Sequence, residues 1–393
     1  MHIAVLGAGP AGAWASVLLA RRGHSVTLID AQAPWEKPCG GGVTAKALSH
    51  FEIFTSDLPR KNIDRITIYF GDKDCVTVTP AKPIAVLSRR ELGKYLLDAA
   101  ENAGVSILKS RVNHIERMVA GGWRLLSRET SLQSDFLIGA DGATSLVRRT
   151  VATALQPEEL AVTMGYFIPG SGPAHMKVYF VPGLEGYIWS FPRPNHISYG
   201  LITRSEPGWT ARAKTLLSNF IVADLGPDPL KHAEFFSAPV PCLSPASWKA
   251  NRISGDRWAL IGDAAGLVDP ITGEGIHYAL KSAELLSETI DKPDEYASRV
   301  KGAIGQELAR AARMYRRFYR GHFLGADFCK RTVQISRRSR TVRSILGNLI
   351  TGNQSYLTLK RHLVFSIPSI GIDLITGRSE PLSSGKRDNI SER

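Results

Sequence analysis

The sequence predicts an α/β chain in three parts: a discontinuous nucleotide-binding domain, a second domain on an antiparallel sheet, and a helical C-terminal region. Three observations predict it. The chain opens on an apolar strand, a glycine-rich turn and a helix-like run. Two later apolar strands run into Asp141-Gly142 and into Gly262-Asp263. Between those two lie four strand-like segments, "AVTMGYFI", "HMKVYFV", "YIWSF" and "HISYGLI", bounded by turn residues.

Length and composition set the frame. A chain of 393 residues has room for two domains. Hydrophobic content of 44% with 22% charged residues is that of a globular protein. Cys39, Cys75, Cys242 and Cys329 are far apart and no pair has metal-ligand spacing. That argues against a disulfide framework or a metal site and fits a reducing, cytoplasmic compartment. The run "AVLGAGPAGAWASVLLA" lacks a basic leader, so it reads as strand, turn and helix, not as a targeting signal. No apolar run reaches the roughly 18 residues of a membrane-spanning helix.

The first element is "HIAVL" (2–6), followed by "GAGPAG" (7–12), the helical run "AWASVLLARR" and the strand "SVTLID" (25–30). Each glycine has a reason: Gly7 permits a tight turn, Gly9 lets a pyrophosphate approach the backbone, and Gly12 lets the helix pack on the strand. Pro10 and Ala11 complete the turn at the helix N-terminus, whose N–H groups face the phosphate charge. Asp30 can accept from a ribose hydroxyl. Strand, GxGxxG, helix, strand and acid together predict a Rossmann-like domain, without distinguishing FAD from NAD.

Next comes "EKPCGGGVTAK" (36–46), a cysteine before three glycines. Glycine triplets cost conformational entropy, so something is expected to lie close to them. "VLSRRELGKYLLDAA" (86–100) places Arg89 and Arg90 at a helix start. "SDFLIGADGATSLVRR" (134–149) and "DRWALIGDAAGLVDPITGEGIHYALKSAELL" (256–286) are strands ending in an aspartate, which can bind a ribityl or ribose hydroxyl. In the second, the turn Gly273-Glu274-Gly275 opens a helix and aims its N–H groups outward. His277, on that helix, is expected to be a packed side chain.

In order and spacing, GAGPAG and the Asp-Gly and Gly-Asp motifs resemble the FAD-binding fold of the glutathione-reductase-2 type, over residues 1 to about 290. That group includes aromatic hydroxylases, flavin halogenases and geranylgeranyl reductases. The resemblance implies that Gly7, Gly9, Gly12 and Asp30 bind the ADP half of FAD. It assigns Asp263 to the pyrophosphate–ribityl region, Gly273 and Gly275 to the isoalloxazine, and Arg89 to a further FAD contact.

The branch is indicated by "PGLEGYIWSFPRP" (182–194). On a strand, Tyr187, Trp189 and Phe191 share one face and form an aromatic wall ended by Pro192. With Cys39-Gly40-Gly41-Gly42, this resembles the geranylgeranyl reductase family, which carries a Cys-Gly-Gly loop after the second strand and a PxxYxWxFP motif. Pro182 departs from that pattern, lying five residues before Tyr187 instead of three. The family reduces isolated double bonds in polyprenyl chains of chlorophyll precursors, archaeal lipids or menaquinone. The resemblance implies FAD as cofactor, NADPH or another transient reductant, and a polyprenyl lipid or quinone substrate. Cys39, Tyr187 and Trp189 are then the catalytic candidates, with Cys39 the proton donor and Tyr187 its rival. Gly40 and Gly41 are expected near the flavin, and Gly42, Phe191 and Pro192 in the substrate slot.

Other readings stay open. A monooxygenase or halogenase shares the fold, and the halogenase run Trp-x-Trp-x-Ile-Pro is close to "YIWSFP"; Cys39 favours the reductase. An electron-transfer protein passing electrons to quinone would need an iron–sulfur ligand set that scattered cysteines do not supply. A scaffold that only binds lipid would not need intact FAD motifs.

Net charge is +13, and residues 301–393 hold 18 Lys/Arg against 6 Asp/Glu, nearly the whole excess. "ELARAARMYRRFYRGHFLG" (307–325) reads as a helix with Leu308, Ala312, Tyr315, Phe318, Tyr319 and His322 on one side. Arg310, Arg313, Arg317 and Arg320 fall on the others. "HLVFSIPSIGIDLITG" (362–377) is apolar but broken by Pro368 and Gly371. The pattern suits either an anionic membrane surface on the cytoplasmic face or a helical cap over the substrate domain. No nucleic-acid motif accompanies it. The expected boundaries are 1–60, 84–155 and 253–292 for FAD; 61–83 and 156–252 for substrate; 293–377 for the basic helices; and 378–393 for a disordered tail.

Overall fold

A computed structural model describes residues 1–71, 74–204 and 209–376, so the expected tail lies outside the described residues. The chain divides into two compact units. The first comprises Met1–Lys37, Arg89–Leu160 and Pro239–Ala309; the second comprises Pro38–Ser88, Ala161–Ala238 and the described residues from Arg310 onward.

The first unit is built on a six-stranded sheet in the order Ser254–Gly255, Trp258–Leu260, Phe136–Gly139, His2–Leu6, Ser25–Ile29, Ser106–Leu108. All neighbours are parallel except the first pair. Parallel strands are covered on both faces, which is why their sequences are unbroken apolar runs. Ile3, Ala4 and Val5 have no exposure. Helix Pro10–Arg21 packs against helices Arg89–Asn102 and Ile276–Glu288. The order sets the carboxyl ends of Ser25–Ile29, His2–Leu6 and Phe136–Gly139 side by side. A ligand site is expected at that edge.

The second unit holds a seven-stranded sheet in the order Glu234–Pro241, Leu160–Pro169, His196–Arg204, Gly186–Pro192, His175–Phe180, Arg65–Phe70, Asp74–Val78. The expected antiparallel arrangement holds for the strands between residues 160 and 204. The sheet as a whole is mixed, because Arg65–Phe70 pairs parallel with His175–Phe180. No hairpin joins those two, so no tight turn dictates their direction. Ile188, Tyr199 and Leu201 are buried in one cluster with Ala213, Leu217 and Ile221 of helix Trp209–Leu225.

Segments 38–60 and 84–88 fall in the second unit, not with the nucleotide domain where the sequence boundaries put them. The cause is a small antiparallel sheet: Ile84–Leu87 pairs with both Gly42–Val43 and Arg60–Ile63. The basic helix is also shorter than expected, Gln306–Arg320, with Ala312, Tyr315 and Phe318 buried. His322 leaves it for an exposed hairpin, His322–Phe323 paired with Ala326–Asp327. The turn residues Leu324 and Gly325 both have positive φ, 50° and 74°, as a two-residue hairpin turn of this kind requires. Among the described residues no helix is long and apolar enough to cross a membrane.

Candidate functional site

In the first unit, the glycine turn separates structural glycines from an open one. Gly7 has φ +101°, and a Cβ there would lie 2.4 Å from the Ala140 carbonyl oxygen. At Gly12 a Cβ would lie 1.9 Å from the Gly7 carbonyl oxygen. Both are demanded by packing. Gly9 has an ordinary φ of −67°, and a Cβ there would meet nothing within 4 Å. It is the N-cap of helix Pro10–Arg21, no side chain caps that end, and Pro10 opens the first turn. The first N–H groups of a helix have no partner within it. Asp30 ties this turn to the second strand: its Oδ2 accepts from Ala8 N (2.9 Å), and its Oδ1 from Gln32 N (2.8 Å) and Ala33 N (3.0 Å).

The two strand-end aspartates differ. Asp141 accepts from the Ser145 hydroxyl, from Leu146 N (2.6 Å) and from Val147 N (3.2 Å), so it caps helix Leu146–Val151. Burial pushes its carboxyl up from the ordinary value, against the pull of these donors. Its observed hydrogen bonds are thus local, to the first turn of the helix that follows it. Asp263 instead accepts from Lys37 Nζ at 2.7 Å. Burial alone would raise its carboxyl; the charge and hydrogen bond of Lys37, with the charge of Arg89, outweigh this and hold it below the usual range. Arg89 is buried at the start of helix Arg89–Asn102, where Glu36 accepts from the backbone N–H of Arg89 (2.7 Å) and Arg90 (3.4 Å).

The turn before helix Ile276–Glu288 is tightly closed. Asp269 Oδ1 accepts from Ile271 N (2.8 Å) and Thr272 N (3.2 Å), and the Asp269 carbonyl accepts from Gly273 N (2.8 Å). Gly273 has φ +70°. Gly275 is the N-cap of helix Ile276–Glu288, again without a side-chain cap. His277 is packed, 4% exposed and edge-on to Tyr278. Two uncapped helix starts, open space over Gly9 and a carboxylate held ionised by Lys37 fit the requirements of FAD. Nothing in the sequence marks Glu36 and Lys37, whose partners lie 53 and 226 residues away.

In the second unit, the structure gathers Cys39, Gly40, Gly42, Trp189 and Phe191. Arg193, with no exposure, donates to the carbonyl of Cys39 and, through Nε, to that of Gly40 at 3.4 Å. Its third donor goes to His196 Nε2 at 3.1 Å. Ser198 Oγ donates to the same Cys39 carbonyl (3.1 Å) and receives Trp189 Nε1–H (3.2 Å). Gly41 N–H points to Cys39 Sγ at 3.3 Å.

The bare backbone is used by the protein itself. A Cβ on Gly40 would lie 2.5 Å from the Phe191 ring, and one on Gly41, where φ is +80°, 2.3 Å from the Leu87 carbonyl oxygen. At Gly42 the Phe191 ring is 3.5 Å away. The close approach expected at the glycines is therefore made within the protein, where they let the loop lie on the aromatic strand. That strand does present one face. Ring centroids are 6.1 Å apart for Tyr187–Trp189 and 6.2 Å for Trp189–Phe191, with Pro192 buried after them. Arg193 and Ser198 escaped the sequence reading, although Arg193 directly follows the aromatic run. The unit also contains a cavity of about 240 Å³ lined by Phe70, Phe180, Leu184, Glu185, Tyr319 and Cys329, among others. Burial pushes the Cys329 thiol up to about 12.

Residues 1–169 match the family model described as FAD binding domain. A menaquinone reductase of Mycobacterium tuberculosis is 29% identical, covering 74% of this chain and 77% of its own. A digeranylgeranylglycerophospholipid reductase of Methanothrix thermoacetophila is 28% identical, covering 92% of this chain and 99% of its own. Among solved structures, a geranylgeranyl bacteriochlorophyll reductase-like protein of Thermoplasma acidophilum superposes with a TM-score of 0.72 at 21% identity, over 93% of this chain and 99% of its own. The flavin-dependent brominase Bmp2 shares the fold at a TM-score of 0.67 and 15% identity, over 93% of this chain and 99% of its own.

Proposed function

We propose, from the premise that this chain is an FAD-dependent oxidoreductase of the geranylgeranyl reductase type, that it saturates isolated C=C bonds in a polyprenyl chain carried by a lipid or a quinone. One observation carries this reading: the Cys39 loop is fixed by buried Arg193 and by Ser198 onto the strand bearing Tyr187, Trp189 and Phe191.

Gly9, the uncapped start of Pro10–Arg21, Asp30, Arg89, Asp263 and the Gly273–Gly275 turn are the residues we assign to FAD. When bound and reduced, FAD supplies a hydride. Saturating an alkene then needs a proton on the second carbon, and an acid fixed in place supplies it best. Cys39 offers a thiol whose backbone is clamped by two donors; Tyr187 offers a phenol on the aromatic face. Trp189 is packed with Phe167 and Phe236, so Tyr187 and Phe191, which keep partial exposure beside it, are the apolar surface that suits a hydrocarbon chain. Bound FAD would need a two-electron donor such as NADPH for its reduction. We place the substrate at an anionic membrane surface, since residues 301–376 carry 14 Lys/Arg against 3 Asp/Glu.

The test is mass spectrometry of lipids and quinones from cells with and without the protein. Loss of saturation, read as steps of about 2 daltons per double bond, supports the reading. An unchanged profile, with FAD retained by the purified protein, moves the assignment to the monooxygenase or halogenase branch.

A further inference from the structure

We infer that the helix pair Tyr356–Phe365 and Ile367–Thr376 is an interfacial anchor that seats its apolar face among the acyl chains of an anionic membrane. The inference deepens the prenyl-lipid reading above and rests on it only for where the substrate lies.

Helix Ile367–Thr376 is polarised the wrong way for a globular surface. Such a helix normally turns apolar residues inward and charge outward. Here Ile367 is 61% exposed, Ile372 62% and Ile375 87%, while none of the helix is buried. Asp373, its one charged residue, is turned to the protein. Its Oδ2 accepts from Ser339 Oγ (2.8 Å) and Thr341 N (2.9 Å), capping helix Arg340–Ile350. The cap fixes the helix by its polar side. The preceding helix continues the apolar surface with Val364 at 53% and Phe365 at 71% exposure. A contiguous apolar patch of this kind marks an interaction surface.

Charge identifies the occupant. From Phe328 to Thr376 there are eight Lys/Arg and a single acid, Asp373. Arg338, Arg340, Lys360 and Arg361 are exposed, and the Arg361 guanidinium lies 5.4 Å from the Phe365 ring centroid. Basic side chains bordering an apolar face compose an interfacial element on anionic lipid. A second copy of this chain would bring the same positive charge against itself. Each helix has 10 residues, too short to span a bilayer and long enough to lie along its surface.

The experiment is flotation of the full chain with vesicles of phosphatidylcholine containing about a third phosphatidylglycerol. The variants are Ile367→Asn/Ile372→Asn/Ile375→Asn and Lys360→Glu/Arg361→Glu. The wild type is expected to float, and each variant to bind at least about tenfold more weakly while keeping its flavin. Failure of the wild type to float, or unweakened flotation of the triple variant, overturns the anchor. So does a triple variant that floats unchanged but converts a dimer to a monomer by light scattering, which would assign the face to a second copy. Turnover of a detergent-dispersed menaquinone and of a geranylgeranyl lipid is measured alongside. Flotation without such turnover would leave the anchor standing and remove the prenyl reading instead.

Discussion

At the scale of single residues, the proposed chemistry turns on a few side chains whose environments differ. If Cys39 is the acid, Cys39→Ala should lower turnover on a prenyl substrate by about 10²–10⁴-fold, with bound flavin unchanged. Tyr187→Phe should then cost little. The reverse pattern in single-turnover kinetics would transfer the role to the phenol. Lys37 is tested through Asp263, whose carboxyl it holds low. A group with a depressed folded-state pKa contributes stability that is complete above its unfolded value and is lost as pH falls through the folded one. In Lys37→Met, burial would raise that carboxyl. The melting temperature should therefore drop most at neutral pH, and the gap to wild type should close in acid as Asp263 protonates in both. A gap independent of pH would sink the pairing. Lys37 and Arg193 were illegible in the sequence because their partners, Asp263 and the Cys39 carbonyl, lie 226 and 154 residues away.

At the scale of elements, glycine position tells binding from packing. Gly41→Ala places a side chain at φ +80° against the Leu87 carbonyl, so it should cost about 1–3 kcal/mol in urea unfolding. Gly9→Ala meets nothing and has an ordinary φ, so stability should stay within about 0.5 kcal/mol while FAD affinity falls. Equal FAD affinity in Gly9→Ala would show that the open space is not used. The strands themselves were legible, because burial on one face or two leaves a period of two or an unbroken apolar run. What escaped was decided by distant pairing: the parallel entry of Arg65–Phe70 into the second sheet, and the sheet that takes residues 42–43 out of the nucleotide domain. That Asp141 caps the helix after it was not legible, since a strand-end aspartate reads the same as cap or as ligand residue.

At the scale of the whole molecule, the fold does not choose the reaction, because a reductase-like protein and a brominase both superpose on this chain. The choice rests on the Cys39 loop and the aromatic strand, both within the second unit. Reductase and oxygen-dependent chemistry differ in what enters the product. Alkene saturation takes one hydrogen from the reductant and one from an acid in exchange with solvent, and takes nothing from oxygen. Turnover of a prenyl substrate should therefore run as fast without oxygen as with it, and in D₂O with unlabelled reductant should place at least one deuterium on each saturated bond, a second entering as far as the hydride position exchanges with solvent. Cys39→Ala should slow this proton step without changing the count, because solvent can still supply the deuteron. Product that appears only with oxygen, or only with bromide, would reject the reductase reading while leaving the FAD assignment of the first unit untouched.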